Sequence, residues 1–334
     1  MSRLTRAAVA LGLTVSGCRG CSETSEKSAP PPAALPPSAS ASASSSASVT
    51  RRPPKSPLRR RIDQAQKGEG KAFVPATAPE LTGYGAWFSE VLGAALTDRL
   101  PQAAPPPGFA GRFTDHGELW VLSEADDTRR GAGLVAVRPG KSRAFVIEAP
   151  HTFYDRGTLE IALAVFERLE ARALLVNTMH RSSGATPEER EAEIRKGTSK
   201  SDLAHVEHSF FSTAHAELVR ADPELVALQI HGFRDDHVPG AAAVVSAAKT
   251  RGDAKAVAIA LRQAFPGMTF KVYPEEVDTL GGTKNRQAEL SRAARAPFVH
   301  LELSATFRSA LNADAALTQR FADALAAAKG GAPP

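Results

Sequence analysis

Short apolar runs that alternate with helix-length amphipathic segments constrain this chain most. Residues 144–149 (AFVIEA), 173–177 (ALLVN), 225–230 (LVALQI), 269–273 (TFKVY) and 298–303 (FVHLEL) have the length and composition of strands. Between them, residues 158–171 place Leu159, Leu163, Phe166 and Leu169 at helical spacing. Residues 203–221, 255–265 and 315–328 read as further helices, and the charged stretch 188–196 as an exposed one. Strands that are apolar along most of their length and separated by helices belong to a sheet covered on both faces. The expected fold class is therefore α/β, a mainly parallel or mixed central sheet with helices on both faces, in one domain over residues 80–330. Residues 80–140 are either part of this domain or a cap on it.

The 334-residue chain has a formal net charge of +5, and the excess is unevenly placed. Residues 1–79 hold 12 Lys+Arg against 4 Asp+Glu, and the remainder 29 against 32. The basic character thus belongs to the leading segment, and the folded part is excluded as a nucleic-acid binder on charge grounds. Arg3 and Arg6 precede an apolar run over residues 7–15, and Val15-Ser16-Gly17-Cys18 follows. That is the layout of a secretory signal, too short to remain as a membrane span. Small residues ending in cysteine resemble a bacterial lipobox, which implies cleavage before Cys18 and acylation of its thiol. Residues 1–17 are accordingly read as a lipoprotein signal peptide, and the protein as exported and lipid-anchored to the bacterial cell envelope, at the outer membrane or the periplasmic face.

Residues 22–57 are largely Ser, Ala and Pro, which cannot bury enough surface to offset their ordering entropy. The whole of 18–79 is expected to be a disordered tether. Its basic residues, Arg51, Arg52, Lys55 and Arg59 to Arg61, suit anionic lipid or cell-wall polymer. Both cysteines, Cys18 and Cys21, lie in this leader, so the folded part has no disulfide and no thiolate metal site. Any metal there is held by His, Asp or Glu.

Functional groups in open α/β sheets gather beyond the carboxyl ends of the strands. The first run leads to His151 and Asp155, the second to Asn177, His180 and Arg181, and the third to His231. The last run carries His300 and Glu302, two apart and so on one face. Two imidazoles, an oxygen ligand and an open position make a catalytic metal site. His151, Asp155 and His231 suit that pattern, with Glu302 as a general base and Arg181 or Arg308 as a bidentate clamp on a substrate carboxylate. Each has a structural alternative: His151 and His231 as hydrogen-bonded strand-end residues, Asp155 as a helix cap, Glu302 as an arginine partner. Glu148, three residues before His151, competes with Asp155 as the oxygen ligand. His205 and His208, spaced i,i+3 on the expected helix 203–221, read as a solvated or packed face with His215, and nothing nearby singles out His116 or His237.

From about residue 143 to 308 the chain resembles the N-formylglutamate amidohydrolase and zinc-carboxypeptidase-like group of hydrolases. The resemblance is carried, in order, by "EAPHTFYDRGT", "LLVNTMHR", "HSFFSTAHAELVRADPELVALQIHGF", "LGGTKNRQ" and "FVHLELSATFR". It implies a mononuclear Zn2+ held by His151, Asp155 and His231, with Glu302 as the general base. It also implies that the segment 177–181 binds substrate through Asn177 and Arg181, helped by Arg308. The His-x-x-x-Asp spacing departs from the His-x-x-Glu of metallocarboxypeptidases, and three residues separate Asn177 from Arg181. The implied activity is hydrolysis of an amide or peptide bond next to a carboxylate, on an N-acyl-glutamate, γ-glutamyl or peptide-type small substrate at the cell envelope. The alternative is a non-catalytic envelope lipoprotein that keeps the fold as a binding module. A serine hydrolase is a weak third reading, since no Gly-x-Ser-x-Gly elbow occurs in the sequence.

Overall fold

The structure, a computed structural model, describes residues 56–329 apart from 68–72, 114–118, 126–128, 184, 187, 190, 191, 193–198 and 251. Cys18, the leader and most of the tether lie outside the described residues, as do His116 and most of the helix expected over 188–196.

β1 (Phe109–Arg112), β2 (Trp120–Glu124), β3 (Leu134–Val137), β4 (Arg143–Ala149), β5 (Ala171–Val176), β6 (Val226–Phe233), β7 (Ala241–Ser246), β8 (Thr269–Val272) and β9 (Phe298–Ser304) form one sheet in the order β1-β2-β3-β5-β4-β6-β9-β7-β8. The central strands β5, β4, β6 and β9 are parallel, as the strand–helix alternation requires. β1, β2 and β3 add antiparallel strands along β5, and β7 runs antiparallel to β9, so the α/β sheet is mixed. β1 to β3 are thus one edge of the main sheet. β7 (AAAVVS) escaped the sequence reading because alanine carries little strand signal.

Helices cover both faces. On one lie α1 (Pro57–Gln66), α3 (Thr158–Arg168), α5 (Ala254–Ala264), α7 (Ala305–Ala313) and α8 (Ala315–Ala327), sharing a core with Phe145, Ile147, Leu228, Ile230, Leu301 and Leu303. On the other lie α2 (Ala78–Leu96), α4 (Phe210–Ala221) and α6 (Arg286–Ala293), around Trp120, Val146, Ala227 and Phe298. Successive strand residues point to opposite faces. The three central strands β4, β6 and β9 therefore turn one face toward the apolar core. On the other they place Glu148, then Gln229 and His231, then His300 and Glu302, all buried or nearly so. In the ladders Glu148 stands opposite Gln229, Gln229 opposite His300 and His231 opposite Glu302.

Two expectations are corrected. Residues 57–66, read as tether, form α1, whose Leu58 and Ile62 sit in the core while Arg59 pairs with Asp63 and Glu160. An i,i+4 apolar pair packed under a basic exposed face is a helix signal that the surrounding low-complexity composition obscured. The folded unit includes α1 and needs no boundary at residue 80. The helix expected over 203–221 begins only at Phe210, where the Ser209 side chain caps it by accepting from Ser212 N–H; the preceding residues are turns. His205 and His208 therefore do not share a helix face. His208 is exposed, and His215, on α4, is fully buried.

Candidate metal centre

At the carboxyl end of β4 the chain turns sharply, with the Asp155 N–H bonding back to the His151 carbonyl at 2.8 Å. This turn faces the His151 ring and the Asp155 carboxylate in the same direction, and the two meet at 3.4 Å through Nδ1 and Oδ2. Asp155 does not cap α3: that N-cap is Gly157, with no side-chain bond to the helix. β6 delivers His231 from the adjacent strand. Its Nδ1 lies 3.0 Å from His151 Nδ1 and 3.5 Å from Asp155 Oδ2. His151, Asp155 and His231 are each only 3% exposed, and together they form a group able to hold a metal ion.

The remaining ring nitrogens are already engaged. His151 Nε2 donates to Asp202 Oδ1 at 2.8 Å, and His231 Nε2 donates to Gln229 Oε1 at 2.6 Å. That leaves the two Nδ1 atoms facing one another, and a pair of ring nitrogens at 3.0 Å holds either a proton or a cation between them. The electrostatics agree with a site built for positive charge. Burial pushes the Asp155 carboxyl up, but bonds and charge from His151 and His231 outweigh it and hold its pKa below the usual range. Burial lowers His231 to about 4. For His151 burial acts downward, and the Asp202 carboxylate overrides it and raises the pKa.

Glu148 is not part of this group. It is fully buried and engaged elsewhere, accepting from His215 Nδ1 at 2.6 Å and from Gln229 Nε2 at 2.8 Å. Asn177 is also removed from substrate contact. Its amide donates to the Pro150 carbonyl at 2.8 Å and accepts from Met179 N–H at 2.9 Å, and it is completely buried. It braces the loops after β4 and β5 instead.

A cleft of about 790 Å³ opens over the group, lined among others by Tyr154, Arg181, His205, His300, Glu302 and Arg308. Glu302, in register with His231, has its carboxyl pushed up to about 8 by burial and by the nearby Asp155 charge. His300 lies between, its ring 4.6 Å from that of His231 and its Nε2 3.8 Å from Glu302 Oε1; burial, then His231, lowers its pKa. Arg181 bonds Asp202 Oδ2 through Nη2, with Nη1 3.4 Å from His151 Nδ1 and its guanidinium over the Tyr154 ring. Arg308 reaches beneath the cleft and donates to the backbone carbonyls of Arg156, Phe233 and Leu303, leaving Nη2 without a partner among the described residues. Its approach requires Gly232, because a Cβ there would collide with the guanidinium. Gly282, at φ +60°, likewise lies against the His300 ring.

Three contributors had no role in the sequence reading. Asp202 gathers His151, Arg181 and His205 Nδ1, the last at 3.1 Å, and carries no local signal because it sits in a turn far along the chain. Gln229 had a signal, since the same i,i+2 logic that pairs His300 with Glu302 pairs it with His231. The segment 281–287 supplies Asn285, which caps α6 and donates to Gln229 Oε1, and Gln287, which accepts from Gln229 Nε2 at 3.1 Å.

Fold and site together define an α/β protein with a two-histidine, one-aspartate candidate metal centre at the carboxyl ends of its parallel strands. No protein-family model and no curated protein matches the sequence. Among solved structures, the chain is similar to an N-formylglutamate amidohydrolase from Ralstonia eutropha, at 16% identity and TM-score 0.35, over 56% of this chain and 96% of that one. It is also similar to a gene product of Agrobacterium tumefaciens, at 14% identity and TM-score 0.36, over 56% of this chain and 89% of that one.

Proposed function

We propose that this protein is a Zn2+-dependent hydrolase that cleaves an amide bond next to a carboxylate. The observation that carries this reading is the convergence of His151 Nδ1, His231 Nδ1 and Asp155 Oδ2 at the floor of an open cleft. Two imidazole nitrogens and one carboxylate oxygen form a donor set that suits zinc and leaves a position open. Each histidine also has its other nitrogen bonded, the usual arrangement for a ligating imidazole. A zinc ion bound there supplies Lewis acidity, polarising a carbonyl and making water more acidic.

The protein groups do the rest. Glu302 faces the same cleft and, in its ionised form, is placed to take a proton from the attacking water and return it to the departing nitrogen. Arg308, whose Nη2 has no partner among the described residues, and Arg181, braced by Asp202, supply positive charge for the substrate carboxylate. An N-acyl-glutamate, a γ-glutamyl compound or a short peptide offers the required amide beside a carboxylate. Acylation of Cys18 and a tether from residue 18 to the folded unit hold this activity at the cell envelope.

The test is zinc quantification on the purified mature chain, with hydrolysis of N-acyl-glutamate and γ-glutamyl substrates followed in parallel. The reading requires about one zinc per chain, its loss in His151→Ala and His231→Ala, and a Glu302→Gln variant that keeps zinc and loses hydrolysis. A wild-type chain that binds no stoichiometric metal overturns it in favour of a binding module. Anchoring is checked separately by fatty-acid labelling of cells expressing the wild type and Cys18→Ser; equal labelling removes the lipid anchor.

A further inference from the structure

A continuous chain of buried hydrogen bonds runs beneath the candidate metal centre. Ser291 Oγ on α6 meets His215 Nε2 on α4 at 2.9 Å, and His215 Nδ1 donates to Glu148 Oε1 on β4 at 2.6 Å. The other Glu148 oxygen accepts from Gln229 Nε2 on β6 at 2.8 Å, and Gln229 Oε1 accepts from His231 Nε2 at 2.6 Å. Glu148, His215, Gln229 and Gln287 are all fully buried, so no solvent substitutes for a missing partner.

The chain has a direction. A carboxylate accepts and does not donate, so Glu148 admits only the NH2 side of the Gln229 amide. Gln287 Oε1 demands the same, and on the far side Asn285 Nδ2 donates toward Gln229 and requires an oxygen there. Flipping the amide would set oxygen against oxygen at Glu148 and nitrogen against nitrogen at Asn285. Held this way, Gln229 presents an acceptor to His231, which must carry its proton on Nε2 and keep the lone pair of Nδ1.

We infer that Gln229 is a positioning residue that selects Nδ1 as the nitrogen His231 offers to a cation, and that the Glu148–His215 pair sets Gln229 itself. This deepens the metal-site reading and depends on it only for the affinity arm of the test. Ring-nitrogen correlation spectra of the metal-free, 15N-histidine-labelled protein at pH 8 report the His231 tautomer directly. The wild type should show a protonated Nε2 and a pyridine-like Nδ1. Glu148→Gln is isosteric but gives the network an amide able to donate, so Gln229 gains a second permitted orientation and the Nδ1–H form of His231 should appear. Gln229→Leu should show the same redistribution. In both variants zinc affinity, measured by competition with a chromophoric chelator, should fall about 10- to 100-fold. Retention of the pure Nε2–H tautomer in folded Glu148→Gln overturns the inference. If wild-type protein binds no zinc, the functional reading fails while the tautomer measurement still decides this one.

Discussion

His151 and His231 stand 80 residues apart in sequence and bring their Nδ1 atoms to within 3.0 Å of one another. Neighbouring parallel strands make this possible: β4 ends where its ladder with β6 is still in register, so residues just past the end of one strand face residues within the next. Each ring is then fixed from behind, His151 by Asp202 and His231 by Gln229.

The Asp202 support is open to a direct test. Its carboxylate holds the His151 ring, the Arg181 guanidinium and His205 at once; burial pushes its pKa up, but charge and a bond from His151, a bond from His205 and the Arg181 charge hold it well below the usual range. Asp202→Asn should weaken zinc binding about 10- to 100-fold in chelator competition. An unchanged affinity would separate Asp202 from the metal centre.

Glu302 makes stability depend on pH. Its folded pKa is about 8, above the ordinary carboxylate value because of burial and the Asp155 charge. A raised carboxylate pKa means the folded state holds its proton longer than the unfolded chain does. The contribution is therefore fully favourable below the unfolded value and declines as pH rises from there to about 8. In metal-free protein, Glu302→Gln should be more stable than the wild type at pH 8.5, by on the order of a few kcal/mol, and should approach wild-type stability near pH 4.5. Urea titrations in the presence of EDTA read both ends; a gap that does not change with pH would refute the buried-carboxyl account.

Gly232 and Arg308 should be energetically coupled. A methyl group at Gly232 meets the guanidinium that bonds the Phe233 and Leu303 carbonyls. Gly232→Ala should cost about 1–3 kcal/mol in the wild type and much less in an Arg308→Ala background. Additive costs in a double-mutant cycle by chemical denaturation would show that the close approach carries no strain.

The inclusion of α1 in the folded unit predicts the cost of trimming its buried face. Ile62 is completely buried, so Ile62→Ala should cost about 2–5 kcal/mol. Val74, 48% exposed, provides the control, and Val74→Ala should stay within about 0.5 kcal/mol. Equal, small effects at both positions would return residues 57–66 to the tether.

The sequence by itself determined the sheet and the side on which chemistry gathers. The apolar runs over 144–149, 225–230 and 298–303 mark the central strands, and His151, His231, His300 and Glu302, in or just past them, mark the end where polar groups gather. Strand and helix alternation orders the central strands in parallel, and both patterns are local, so they survive without knowledge of any partner. Tertiary structure alone decided the rest. Glu148 competed with Asp155 as the oxygen ligand until His215, from a helix 67 residues away, claimed it. Asp202, 51 residues from His151, became its support only through the path of the loop before α4. Asn177 and Arg308 turned toward backbone carbonyls that no spacing reveals. A buried polar side chain goes to whichever partner the long-range register brings within hydrogen-bond distance, because leaving it unpaired costs more than any local preference returns.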